Sequence, residues 1–543
     1  MHSPTLALAW QVWGRHRWGL AAVAAYCLVM AVVFNALPAE TLHERHGALF
    51  SIQFVIGLIY VAAAFAYGFE CRLEVRESGF PARLFTLPVR TGVLVGGPML
   101  QGMAAVALLW LAWAYFVLRP CGIEVSLGST ALLAAAFVAV LQALLWSPVG
   151  LPWLRVVLAI VLLPLLAVAP QLGPALGINE SLLVGLYAAL IPLAAAVAFA
   201  GVSRTRHGAA TGWRWPVPSL RTTRRPARLP RAFPSPARAQ LWYEWRRHLL
   251  GFPLVIGCCM ALQLALVLWI DAEVGPRPAA HVIREGLGFL LGPLIMAPFF
   301  GCFLARTGTS SANPYLVSSF TATRPVSVTT LVAAKLKGSA LVALAAWALV
   351  LLAASVWLAG SGSYEAVSKW WQALRQQYPA WRVAATALLA VGGPVFLTWR
   401  LLADNLWVGL TGRVWVARLT LLACGACLPA VFMLGAPVVD DPGLRDRLWE
   451  ALPWYAAGAA LLKLLAAAWV GRALLRRGLV GPTALAKLAA VWLLAAVILF
   501  ALACAAVPSD LVPVSLLASG AVLGVPLVRL LAAPLALAWN RHR

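Results

Sequence analysis

The sequence predicts an all-α polytopic membrane protein, and three observations carry that prediction. The chain of 543 residues is 62% hydrophobic and only 11% charged. A soluble domain of this size cannot hide so much apolar surface. The apolar residues fall into runs long enough to cross a bilayer, which takes about 20 residues each. Two short patches of the first half return in the second, so the chain is read as built twice.

In chain order, the first series of apolar runs covers 18–38, 49–69, 93–117, 127–147, 151–170 and 181–202. The second covers 249–270, 286–305, 329–359, 383–403, 414–436, 452–471, 484–507 and 512–539. The expectation is about 14 transmembrane helices (12–14), arranged as two repeated six-helix bundles with an extra pair. Gly19–Leu37 is read as a span, because it is too long for a signal core. Under strict alternation from a cytoplasmic N-terminus, most Lys and Arg fall on the N-terminal side of the membrane. Most Asp and Glu fall opposite, and only the basic bias sets orientation. Both termini are therefore expected to be cytoplasmic, in an inner or plasma membrane. The net charge of +24 is read as topology, not as a nucleic-acid surface. Lipids, not nucleic acid, are the expected surroundings.

Four segments follow. Residues 1–202 form a first transmembrane repeat. Residues 203–240 form a cytoplasmic linker rich in Pro and Arg, where proline forbids long regular structure. Residues 241–475 form a second repeat, and 476–543 an extra C-terminal helix pair without a counterpart.

The first repeated patch stands before the opening span of each half. Trp10, Trp13, Arg15, His16 and Gly19 return as Trp242, Trp245, Arg247, His248 and Gly251 at one constant offset. The second patch follows the second span of each half. Phe85-Thr86, then Pro88-Val89, then Leu94-Val95 return as Phe320-Thr321, Pro325-Val326 and Leu331-Val332, with Arg324 before the second Pro-Val pair. Pro88 and Pro325 suit the first turn of a helix, where a missing N–H costs little. Thr86 or Thr323 would cap that start. A short exposed helix led by Phe85 or Phe320 is the expected docking knob for a cytosolic partner.

Other residues invite chemistry and give weak signals. Cys424 and Cys427 have metal spacing but no second pair, and His43 and His46 lack a third ligand. Asp440 and Asp441 could serve an enzyme acting on a lipid-linked substrate; a solvated loop is the plainer reading. Gln53, Gln101, Gln142 and Gln263 suit helix–helix hydrogen bonds. Glu70 and Asp404 are expected at span ends. Lys463 falls midway along a span, where snorkelling is the ordinary outcome. Residues 360–382, with Trp370, Trp371 and Trp381, read as an amphipathic segment on the outer interface. No phosphate-binding loop occurs, since none of Lys335, Lys337, Lys369, Lys463 and Lys487 directly follows a glycine.

On the two repeated patches, the chain resembles the permease subunits of ABC-2 type transporters. The resemblance implies that Trp10, Trp13, Arg15, His16 and Trp242, Trp245, Arg247, His248 lie on interfacial connecting helices. It implies that Phe85, Thr86, Pro88, Val89 and Phe320, Thr321, Arg324, Pro325, Val326 couple to a separate cytosolic ATPase. That partner would hold ATP and Mg; no cofactor and no catalytic or metal site is expected in this chain. Such permeases commonly carry six spans and pair, whereas here two units look fused, and a homodimer stays open. The expected function is export. The alternatives are a membrane enzyme, an ion-coupled secondary transporter, or a scaffold.

Overall fold

The computed structural model describes residues 4–36, 57–68, 78–120, 125–148, 154–166, 177–208, 233–245, 249–274, 279–306, 315–317, 327–361, 364–420, 423, 441–507 and 512–541, apart from single positions within some of these ranges. Among the described residues every regular element is helical. They form two compact units, one before Pro230 and one after it.

The first unit contains α1 (Pro4–Ala36), α2 (Thr91–Trp113), α3 (Leu127–Trp146) and α4 (Glu180–Arg206). A turn of π-helix, Ala114–Leu118, prolongs α2. α3 packs between α2 and α4, and α1 lies along α2. Gly19 marks a close approach, because a Cβ there would fall on the Tyr60 hydroxyl. Gln142, buried on α3, donates from Nε2 to the carbonyls of Phe65 and Pro98, both at 3.2 Å. It ties helices together, as its sequence context suggested. The Pro98 carbonyl it reaches lies on α2, beside the proline that cannot complete the helix ladder.

The second unit contains α5 (Pro236–Glu244), α6 (Gly251–Val274), α7 (Ala279–Leu304), α8 (Val328–Gly360), α9 (Tyr364–Gln377), α10 (Ala380–Leu410), α11 (Pro442–Arg476), α12 (Pro482–Ala506), α13 (Val514–Gly524) and α14 (Val528–Arg541). Its main core joins α6, α7, α8, α10 and α14 through residues such as Phe252, Phe289, Trp347, Leu402 and Leu537. Trp347 donates from its buried indole to the Thr398 hydroxyl at 2.8 Å, which satisfies its polar atom within the core. α11 to α14 pack on one another and on α10.

Among the described residues nine stretches are long and apolar enough to cross a membrane: α2 with its π-turn, α3, α4, α6, α8, α10, α11, α12, and α13 joined to α14. They are those of a multi-pass α-helical membrane protein. Two corrections follow. The expected span 512–539 is not one helix: α13 stops at Gly524 and α14 starts at Val528. Pro526 supplies no amide, and the residue before a proline leaves the helical region; Val525 sits at φ −78°, ψ 122°. The expected interfacial segment around Trp10 is not separate from the helix that follows it: α1 runs unbroken through Gly14 and Gly19. The expected runs 49–69, 151–170 and 414–436 lie mostly or partly outside the described residues.

Candidate functional site

In the first unit the Phe-Thr…Pro-Val patch forms a turn anchored to the core. Ala82–Leu84 is a single 3-10 turn. Phe80 is buried, packs edge-on to Trp146 at 5.2 Å, and stacks on Phe85 at 5.6 Å between ring centroids. Trp146 in turn donates to the Ala66 carbonyl at 2.9 Å. The Ser78 hydroxyl donates to the Trp146 carbonyl, and the Gly79 amide to that of Leu145 at 2.9 Å. The turn is thereby fixed to the end of α3.

This arrangement revises the expected knob. Phe85 is half-buried against the core and leads no exposed helix. The Thr86 hydroxyl donates to the Arg83 carbonyl at 2.8 Å, closing the 3-10 turn instead of capping the next helix. Pro88 precedes that helix, whose first residue is Thr91 and whose N-cap is Arg90. The side chains left exposed are Arg83, Thr86, Pro88 and Arg90; Val89 is half-buried.

Arg206, at the last turn of α4, holds the other side of the patch. Its guanidinium donates to the Val89 carbonyl at 2.7 Å, the Leu87 carbonyl at 3.1 Å and the Thr91 hydroxyl at 3.2 Å. The planar fork holds the Leu87 and Val89 carbonyls with donors in a fixed geometry, where a lysine ammonium is a compact charge on a flexible stem. Beside it lies an open groove of about 700 Å³, lined by Pro88, Val89, Arg90, Thr91, Gly92, Phe199, Ser203, Arg206 and His207. Its charged side chains are basic and none is acidic. Sequence reasoning missed Arg206, although a basic last turn on α4 was the available signal.

The corresponding segment of the second unit, Phe320, Thr321, Arg324, Pro325 and Val326, lies outside the described residues, as does Thr323. The helix after it is capped by Ser327, whose Oγ accepts from the Thr330 amide at 3.2 Å.

The tryptophan-rich patches differ between the units. On α1, Leu8, Val12 and His16 recur every four residues and are buried, His16 being 3% exposed. Trp10 and Trp13 face outward, 61% and 49% exposed, and Arg15 is half-buried. In the second copy Trp242 is exposed and meets Phe233 at 5.4 Å, whereas Trp245 packs against the core. Arg247 and His248 lie outside the described residues.

At the offset that relates the two patches, Leu8 and Val12 correspond to Gln240 and Glu244, both buried on α5. Glu244 pairs with Lys335 of α8 at 3.0 Å, with side-chain exposures of 6% and 3%. Lys335 also donates to the carbonyls of Leu304 at 3.0 Å and Arg306 at 3.1 Å. Gln240 donates to the second Glu244 oxygen at 3.0 Å. Every ammonium proton has an acceptor, which an ion pair needs in order to survive burial. The pair joins α5, the end of α7 and the start of α8.

The remaining candidates fall to structural roles. Asp441 caps α11, accepting from the amides of Gly443 and Leu444 at 2.8 and 3.2 Å. Asp440, Cys424, Cys427, His43 and His46 lie outside the described residues. Among the described residues no cluster of His, Cys, Asp or Glu could hold a metal. Lys463 does not snorkel; its ammonium donates to the carbonyls of Val522 at 2.7 Å, Leu523 at 3.1 Å and Val525. α9 has one strongly apolar and one polar face and packs only lightly on α10, as an interfacial helix would. No family model matches the chain, and no curated protein or solved structure matches it either.

Proposed function

We propose that this chain is the membrane-spanning permease subunit of an ABC-2-like exporter, driven by a separate ATPase. One observation carries the reading: the Phe80–Thr91 turn is fixed from both sides, by Phe85 stacked on Phe80 and Phe80 on Trp146, and by Arg206 on Leu87 and Val89. A surface that must transmit force has to be stiff where it is gripped. An unanchored loop would absorb the motion. The exposed residues of this turn, Arg83, Thr86, Pro88 and Arg90, then form the docking surface, and their basic character suits an acidic partner. The recurrence of the patch in the second half gives the engine a second grip. The turn, its basic neighbours and the linker of residues 203–240 would share the cytoplasmic side. Purification of the full chain from its native membranes tests this: an ATPase with a phosphate-binding loop should accompany it.

A second reading, an ion-coupled carrier, is favoured by one feature: the break between α13 and α14 lies within a candidate span and presents backbone carbonyls. Asp404 pairs with Arg400 at 3.5 Å. We rank this below the permease, because a tethered cation, Lys463, already occupies those carbonyls.

A further inference from the structure

The C-terminal helix α14 lies between two polar anchors, one at the end of α13 and the break before α14, the other near its own far end. At its start, Val525–Leu527 belong to neither α13 nor α14. The Val522 carbonyl faces position 526, where proline has no N–H to give. Lys463 supplies the missing donors: its three ammonium protons match the three carbonyls of Val522, Leu523 and Val525. The Trp492 indole adds a fourth bond, to Val525, at 3.3 Å.

At the far end stands Asn540, buried at 3% exposure. Its Nδ2 donates to the carbonyls of Tyr315 at 2.7 Å and Leu410 at 3.1 Å, and its Oδ1 accepts from the Val317 amide at 3.4 Å. Gly412, at φ +73°, makes room, because a Cβ there would fall on the Asn540 amide. Tyr315–Val317 is the described piece directly before the second Phe-Thr…Pro-Val segment. Between its two clamps α14 buries Leu531, Ala533, Ala536 and Leu537, the last three within the main core. Fourteen residues span about 21 Å at 1.5 Å each.

We infer that α14 is a lever joining the helix break within the membrane span to the backbone at Tyr315–Val317, with Lys463 and Asn540 as its positioning residues. The device is mechanical: the break offers a hinge, the packed helix a rigid arm, and the Asn540 amide a grip on the backbone at Tyr315–Val317. It rests on the permease reading only for what the coupling segment does; the coupling between the two ends is independent of it. It also gives the extra C-terminal helices a role.

Amide hydrogen exchange of the full chain in lipid nanodiscs tests the lever. Lys463→Ala should speed exchange about tenfold at 522–527 and also at 315–317 and 410–412, the loss of about 1.4 kcal/mol of local stability, and leave 85–91 unchanged. Ethylammonium, which fits the deleted side chain's end, should restore both regions. Asn540→Ala should reciprocally speed exchange at 522–527, since coupling acts both ways. Effects of Lys463→Ala confined to 522–527, together with effects of Asn540→Ala confined to 315–317 and 410–412, would overturn the lever. If Lys463→Ala fails to fold, Asn540→Ala alone decides, by the same readout at 522–527. No ATPase enters this measurement, so its failure leaves the docking reading intact, and a missing ATPase leaves the lever intact.

Discussion

Arg206 reaches Val89 across more than a hundred residues of chain and donates to its carbonyl at 2.7 Å. One guanidinium at the end of α4 thus sets the course of the backbone between the Phe-Thr and Pro-Val pairs and the start of α2. Its partners are main-chain atoms, so the geometry of the turn depends on Arg206 more than on the side chains of Leu87 and Val89.

Arg206→Ala should therefore loosen the turn without unfolding the unit. Hydrogen bonds to a charged group contribute about 1.5–3 kcal/mol each, net of those they replace with water. Limited trypsin digestion reads the result: cleavage after Arg90 should become at least several-fold faster. Arg206→Lys should fall between, because an ammonium keeps the charge but lacks the fixed donor geometry of the fork. Unchanged cleavage in both variants would contradict the assigned role.

Phe85 should behave as a core residue. Phe85→Asp places a carboxylate against Phe80, and burying an unpaired charge costs several kcal/mol. The variant should lose folded yield and thermal stability in detergent, whereas Phe85→Leu should lose little. Full stability of Phe85→Asp would show that the ring is dispensable to the fold.

The Lys335–Glu244 pair calls for a double-mutant cycle. Either single change, Lys335→Met or Glu244→Met, strands a buried partner and should cost about 3–5 kcal/mol. The double variant Lys335→Met/Glu244→Met should recover much of that loss, because buried pairs are often replaceable by apolar side chains. Thermal unfolding followed by tryptophan fluorescence gives the comparison. Additive losses in the double variant would mean that the two residues act separately.

Much of the architecture was written in composition, because lipid imposes a length and a polarity on any crossing helix. The apolar runs 127–147 and 484–507 meet α3 and α12 to within two residues at either end. The amphipathic reading of 360–382 meets α9. What the sequence could not reveal depends on distant partners. Phe85 looked exposed because the ring it stacks on, Phe80, is itself held in the core by Trp146, 66 residues further along the chain. Val12 and Glu244 occupy equivalent places in the repeat, and nothing local to either says that one would pair with Lys335, 91 residues from Glu244. Lys463 binds backbone carbonyls, which leave no side-chain signature. Its clue was local after all: Gly524 and Pro526 flank the break, two helix-breaking residues inside one apolar run.

The exposed basic side of the Phe80–Thr91 turn is the proposed seat of the ATPase. The direct measurement is the quantity of ATPase retained by the purified full chain when Arg83→Glu and Arg90→Glu are combined. Both side chains are exposed and neither belongs to the core, so thermal stability should match the unaltered protein. The account predicts that the ATPase accompanies the unaltered chain and falls at least tenfold in the double variant. Equal retention by both proteins, or a native complex without any ATPase, would contradict it.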